Sequence, residues 1–409
     1  MPQRLIVGIS LIAVATAVLF YYFFVENSPK NNYQVPTYST AGFLLKSSTS
    51  TVEKVSHLPT PEPLRAVYMT SCVAGTPYLR DRLLKLVKET ELNAVVVDLK
   101  DYTGTLSFKP EDETLVPYAT SGCPIGNLKD LVENLHRDHI YIIGRITVFQ
   151  DPAFTKRHPD TAVKKASNPD ILWADKKGIN YIDPGSKKAW DHIARIAEDA
   201  YQQGVDELNF DYIRFPSDGN MRDISFPLSG TRSKPEVLES FFAYLNQRLK
   251  PSGMMISADV FGMTTSSYVD VGIGQIWERT LPHFDYVAPM IYPSHYYNGF
   301  SGFANPNDHP YEVIHTALAE AVKRTVATST TVQTLGGSYI SSTTPALYTK
   351  PTFNKGKIRP WLQDFDYPVP YTPAMVRAQM KATYDLGLTS WMMWDPTNTY
   401  TREVYEPVI

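Results

Sequence analysis

Two carboxylates end short apolar runs. Asp211 lies in Asn209-Phe210-Asp211-Tyr212-Ile213-Arg214-Phe215-Pro216, and Asp259 in Ser257-Ala258-Asp259-Val260-Phe261-Gly262. A carboxylate in apolar surroundings is costly unless it is paired or used. Two of them flanking one bond can cleave a glycosidic linkage: one attacks the sugar or activates water, and the other protonates the leaving oxygen. Other polar and aromatic residues end similar runs: Asp98, Lys100, Arg145, Arg214, Gln363, Asp364 and Asp395, with Tyr292, His295, Trp361 and Trp394. Trp361, Trp394, Tyr292 and Tyr296 offer ring faces for the C–H surfaces of sugars. Asp98, Arg145, Tyr292 and Gln363 are candidates to hold substrate hydroxyls. The plainer alternatives are an Asp211 ion-paired to Arg145 or Arg214, an Asp98–Lys100 structural pair, and tryptophans that only fill the core.

The elements that must position these residues follow from hydrophobic pattern. Eight Val- and Ile-rich runs are predicted as strands, at 65–71, 94–101, 141–149, 207–215, 255–263, 286–293, 358–364 and 390–395. Near-continuous apolar runs suit strands covered on both faces. Helical patterns fall between them, at 79–90, 127–137, 187–203, 235–249, 310–324 and 373–386, with a short one at 275–281. Strand–helix alternation repeated eight times predicts an α/β fold, a (β/α)8 TIM barrel with its active site at the C-terminal strand ends. The eighth helix is expected to be short or missing. A doubly wound open sheet is disfavoured because no Gly-x-Gly-x-x-Gly follows a strand. Alternation places Asn209 and Asp211 on one face of strand four and Leu208, Phe210 and Tyr212 on the other. It likewise gives Asp98 and Lys100 a shared face. A Ser/Thr-rich insertion at 325–357 is expected to be a long surface loop.

Residues 5–25 carry no charge, enough to cross a bilayer core, which needs about 20 such residues. Arg4 precedes the run and Glu26 follows it, so the four-residue tip is expected in the cytoplasm and the remainder outside. The reading is a signal anchor, with a cleaved signal peptide ending near Ala17 as the alternative. A Ser/Thr/Pro-rich stalk is expected over 26–63 and the barrel over 64–409. With a net charge of −3, nothing in the composition points to a nucleic-acid partner. Cys72 and Cys123 make no zinc spacing; a single bridge is open to them, and two separate buried thiols are the simpler expectation.

The strings around these residues resemble the bacterial family called putative glycosyl hydrolase domain. They are Phe210–Asp218, Ala258–Gly262, Val97–Asp101, Pro289–Tyr296, Arg359–Phe365 and Trp391–Asp395, and the likeness runs from about residue 65 to 400. It implies a barrel of glycoside-hydrolase type and names no substrate. Gly204–Asp211 is more distantly similar to the fourth strand of chitinase-type barrels. Their glutamate two positions on is replaced here by Ile213, so the substrate-assisted mechanism does not carry over. An alpha-amylase-like pairing of fourth- and fifth-strand acids fits better. The expectation is therefore a glycoside hydrolase acting on a cell-surface or extracellular polysaccharide without a cofactor. A non-catalytic glycan-binding barrel is the second reading. A divalent-metal site from Asp98, Asp211, Asp259 and Asp395 is the third.

Overall fold

The computed structural model describes residues 55–120 and 122–408. Eight parallel strands close into a barrel: β1 Arg65–Met69, β2 Ala94–Lys100, β3 Tyr141–Thr147, β4 Glu207–Asp211, β5 Met255–Phe261, β6 Tyr286–Met290, β7 Trp361–Gln363 and β8 Trp391–Trp394. Each falls within one of the eight predicted runs. Every neighbouring pair is parallel, and β8 returns to β1 with Arg65 opposite Trp391.

The helices form because each has a capped start and one apolar face. Leu128–Arg137 begins on Asn127, whose side chain accepts from the Lys129 N–H, and buries Leu128, Leu131, Val132 and Leu135 against the sheet. Each such leucine contributes about 1.5–3 kcal/mol relative to exposure. Lys234–Leu249 starts with a reciprocal Ser233–Glu236 capping box and a proline in its first turn. Lys187–Gln202 is capped by Ser186, and Gly204 at φ +102° lets the chain turn into β4.

Two hydrophobic clusters follow from strand alternation. Val67, Val95, Ile142, Leu208, Phe210 and Ile256 face the helices. Ala66, Tyr68, Val96, Ile143, Ala288, Trp361 and Met392 fill the barrel interior. The floor of the barrel is closed by a fully buried pair: Arg359 donates at 2.9 Å to both oxygens of Glu207.

Four expectations change. Lys100 does not share the face of Asp98, because the β2–β3 register slips between them and Lys100 pairs with Ile146, a helix-side residue. Its ammonium meets Asp151 at 2.9 Å and the Thr147 carbonyl at 2.5 Å, fully buried between sheet and helices. Tyr212 departs from alternation because β4 ends at Asp211 and Tyr212 takes a left-handed φ of +51°. The 325–357 insertion is not a plain loop. It carries a three-stranded antiparallel sheet in the order Ser329–Thr330, Leu347–Thr349, Tyr339–Ser341. Cys72 and Cys123 are not separate buried thiols but a disulfide with Cα atoms 4.7 Å apart, and Cys72 is exposed.

Among the described residues no α-helix follows β8. The chain makes one short 3-10 turn, Arg402–Val404, stacks Tyr405 on Trp391 and runs back to pair Pro407 with Thr90. At the other end, the segment expected as the end of the stalk packs on the barrel from His57 onward: His57 stacks on Tyr201, and the Leu58 N–H donates to Asp206 at 2.7 Å. Among the described residues no helix is long and apolar enough to cross a membrane. The expected 5–25 span, the cytoplasmic tip and the stalk up to residue 54 lie outside the described residues.

Candidate active site

The C-terminal ends of the strands surround a cavity of about 400 Å³. Strands β3 to β5 carry its charged groups. Pairing sets Arg145 opposite Asn209 and Thr147 opposite Asp211, and sets Asn209 opposite Ser257. Asn209 and Asp211 thus share the barrel interior, as their alternation predicts, and Asp259 faces them from the adjacent strand.

Arg145 is the hub. Its Nη1 donates to Asp98 at 2.6 Å, and its Nε and Nη2 both donate to Asp211 Oδ2, the Nε at 3.1 Å. The same Nε lies 4.0 Å from Asp259 Oδ2. The nearest oxygens of Asp211 and Asp259 are therefore no more than about 7 Å apart. That bound admits both the retaining separation of about 5–5.5 Å and the lower part of the inverting range from about 6.5 Å.

The two acids have unlike surroundings. Asp211 is ion-paired through Oδ2, accepts the Tyr212 N–H at 2.5 Å on Oδ1, and lines the cavity. Asp259 is 1% exposed, and Oδ1 accepts Asn209 Nδ2 at 2.9 Å and Trp361 Nε1 at 2.8 Å. Burial, with the charge of Asp211 beside it, pushes the Asp259 carboxyl up to about 8. Since Oδ1 is occupied by two donors, the proton belongs on Oδ2.

The remaining wall is aromatic. Trp394 stacks on Tyr68 at 3.9 Å and meets Trp361 edge-on at 5.4 Å, and the Arg145 guanidinium lies 5.3 Å over the Trp394 ring. Tyr292, Tyr296 and His295 come from the loop after β6. Burial holds His295 below the usual histidine range, so its ring is neutral near pH 7. Burial also raises Asp98, whose second oxygen accepts the Tyr68 hydroxyl at 2.5 Å.

Of the residues singled out from sequence, Asp211, Asp259, Arg145, Arg214, Tyr292, His295, Tyr296, Trp361 and Trp394 line the cavity. Asp98 sits behind Arg145, and Asn209 beneath Asp259. The others lie elsewhere. Lys100 is in the buried pair with Asp151. Gln363 accepts Ser294 Oγ at 2.8 Å and donates to the Phe365 carbonyl at 3.0 Å, tying two loops together. Asp364, raised to about 6 by burial, holds Thr401 and Tyr405 of the C-terminal segment. Asp395 accepts the Thr397 N–H and hydroxyl in its own turn. Not singled out from sequence are the lining residues Tyr212, Phe261, Gly262, Met263 and Met290, and Tyr68, which stacks on Trp394. Tyr68 had a signal, since it shares alternation with Ala66 at the inner end of β1; Tyr212 had none, because its direction depends on a left-handed backbone. Among the described residues no three His, Cys, Asp or Glu side chains group as a metal site, and the carboxylates of Asp98, Asp211 and Asp259 converge on a guanidinium instead.

A family model described as "Putative glycosyl hydrolase domain" matches residues 66–400. The chain belongs to this glycosyl hydrolase domain family. No curated protein matches it significantly. Among solved structures, the glycoside hydrolase domain of PgaB (BpsB) from Bordetella bronchiseptica is similar at TM-score 0.55 and 14% identity, over 84% of this chain and 99% of that one. At that identity the likeness speaks for the barrel fold alone. A hypothetical protein from Ruminiclostridium thermocellum ATCC 27405 is 31% identical over 47% of this chain and 97% of its own, with a TM-score of 0.43. The spore cortex-lytic enzyme SleL from Bacillus megaterium QM B1551 is 11% identical over 84% of this chain and 72% of its own, at TM-score 0.47. Membership makes this a glycosidase-like barrel, and the cavity at its strand ends is where the fold places its chemistry.

Proposed function

We propose that the barrel is a glycoside hydrolase of a cell-surface or extracellular polysaccharide, with Asp211 as nucleophile or base and Asp259 as acid. The observation that carries this is one arginine beside two carboxyls with opposite surroundings, Asp211 ion-paired at the cavity wall and Asp259 buried under two N–H donors, where burial raises it. Environments that push two acids apart assign the acid and base roles. Asp259 would pass its Oδ2 proton to the leaving glycosidic oxygen as the bond to the anomeric carbon breaks. Asp211 would attack that carbon, or take a proton from the water that does. Arg145 fixes the position of Asp211 Oδ2, and the rings of Trp394 and Tyr292 give the sugar a face to stack on.

A second reading has support in the same contacts: Arg145 takes up the charge of Asp211, as a non-catalytic glycan-binding barrel requires. The exposed Cys72–Cys123 bridge supports an oxidising, extracytoplasmic setting, in line with an N-terminal anchor over 5–25. The deciding experiment screens the full chain against envelope and secreted polysaccharides for new reducing ends, beside Asp211→Asn and Asp259→Asn. Loss of turnover by about a hundredfold or more in both variants, with glycan still bound, is expected. Full activity in Asp211→Asn would overturn the assignment. Binding without turnover in the parent protein would favour the second reading.

A further inference from the structure

Among the described residues lining the cavity there are two guanidinium groups, and only one is neutralised. Arg145 is bound by Asp98 and Asp211. Arg214 has no carboxylate within 4.0 Å among the described residues. Its Nη1 donates to the Phe215 carbonyl at 3.3 Å and to Ser217 Oγ at 3.2 Å, and its Nε and Nη2 have no protein acceptor. The acids that could reach it are engaged elsewhere. Asp211 is held by Arg145, and Asp175 accepts the Lys177 and Ile179 N–H groups at 2.9 Å and Gln150 at 3.3 Å.

Arg214 is also held in place. Its guanidinium lies 5.1 Å over the Tyr212 ring and 4.8 Å over the Phe261 ring, both of which line the cavity. The backbone that carries it is pinned on both sides. Gln275 Nε2 donates to the Ile213 carbonyl at 3.3 Å, and the Phe215 N–H donates to the Ile273 carbonyl at 2.9 Å. A planar cation held between two rings, with unspent donors at the wall of a sugar-sized cavity, is pre-organised for a carboxylate, which such a fork binds through two parallel hydrogen bonds.

We infer that Arg214 binds a carboxylate on the sugar, so that the substrate is an acidic glycan, a uronic acid or a lactyl-bearing amino sugar. This rests on the glycosidase reading for its setting, but its test does not depend on turnover. The full chain is titrated calorimetrically with an oligouronate and with a muramic-acid-containing glycan strand, each beside its carboxyl-reduced form. Tighter binding of one acidic form by about 10- to 100-fold is expected, and which one wins identifies the source of the carboxylate. Arg214→Gln is expected to bring that acidic form down to the level of its reduced counterpart. Arg214→Lys, which keeps the charge without the fork, is expected to restore part of the preference. Equal binding of acidic and reduced forms, a preference that survives Arg214→Gln, or no binding of any of the four overturns the inference. If Arg214→Gln loses its fold by circular dichroism, the lysine variant decides: an unchanged preference in it also overturns the inference. Asp211→Asn titrated and assayed in parallel separates the two claims. Unchanged hydrolysis there sinks the glycosidase assignment while leaving the Arg214 result to stand or fall alone.

Discussion

At the scale of single residues, the protonation of Asp259 has consequences beyond any reaction. Its carboxyl is raised by burial to about 8, against about 3.9 in an unfolded chain. Between those values the folded state binds the extra proton, so the contribution of Asp259 to stability is greatest at low pH and falls as pH rises toward 8. An asparagine in its place would imitate the protonated acid, its oxygen still accepting from Asn209 and Trp361. Thermal unfolding of Asp259→Asn from pH 5 to 8 is therefore expected to lose less stability than the parent. A parallel fall in both proteins would show that Asp259 is already ionised. If Asp259 is the acid, hydrolysis should also decline as pH climbs through about 8, a limb visible in kcat/KM. His192 has the opposite sign. Burial among Phe154 and Tyr118 lowers it to about 3, so the folded state refuses a proton that the unfolded chain accepts below about 6.5. Stability is lost as pH falls through that window, and His192→Phe should blunt the loss in urea titrations at pH 4 and 7.

Elements were far easier to read than the directions of their side chains. All eight strands stand out in sequence because a sheet covered on both faces writes itself as short apolar runs, of Val and Ile in β2 and β3 and of Trp and Met in β8. The strand count gives Asp211 a neighbour in Asp259, and alternation gives Asn209 and Asp211 one face of strand four, which lies inward. It failed for Lys100 and Tyr212, where a register slip and a left-handed residue reset the period; these are events of the backbone that no spacing of apolar residues records. Gln363, Asp364 and Asp395 were read as site residues because they end strands. Short loops at those ends need their own hydrogen-bond acceptors, and these side chains serve them. The bulge in β2 has an energetic cost that can be measured. It buries Lys100 against Asp151, both fully inaccessible. Lys100→Met would leave Asp151 buried without its cation, a loss of about 3–5 kcal/mol in unfolding free energy. A change under about 1 kcal/mol would mean that Asp151 takes a proton instead.

At the largest scale, the described residues form a barrel stapled across its top. Cys72 lies in the short helix Ser71–Gly75 after β1 and Cys123 lies beyond β2, 51 residues on, so the bridge ties that helix to the loop after β2 at the end of the barrel that holds the cavity. The chains approach closely because position 75 is glycine: a Cβ there would stand 2.1 Å from the Pro124 carbonyl oxygen. Replacing both cysteines by serine should lower the unfolding free energy by roughly 2–4 kcal/mol, seen as a shift in the denaturant midpoint that dithiothreitol reproduces in the parent protein. On the far side of β1 the cover is different. Where a helix would roof the junction of β8 and β1, there is only the returning tail, clasped by Asp364 through Thr401 and Tyr405. A cylinder opens along its least protected seam. Amide exchange measured by mass spectrometry is therefore expected to be faster in β8, on which Trp394 stands, than in β2 to β5; equal protection would show that the tail covers as well as a helix. The ring proposed to meet the sugar would then be mounted on a part of the wall that yields.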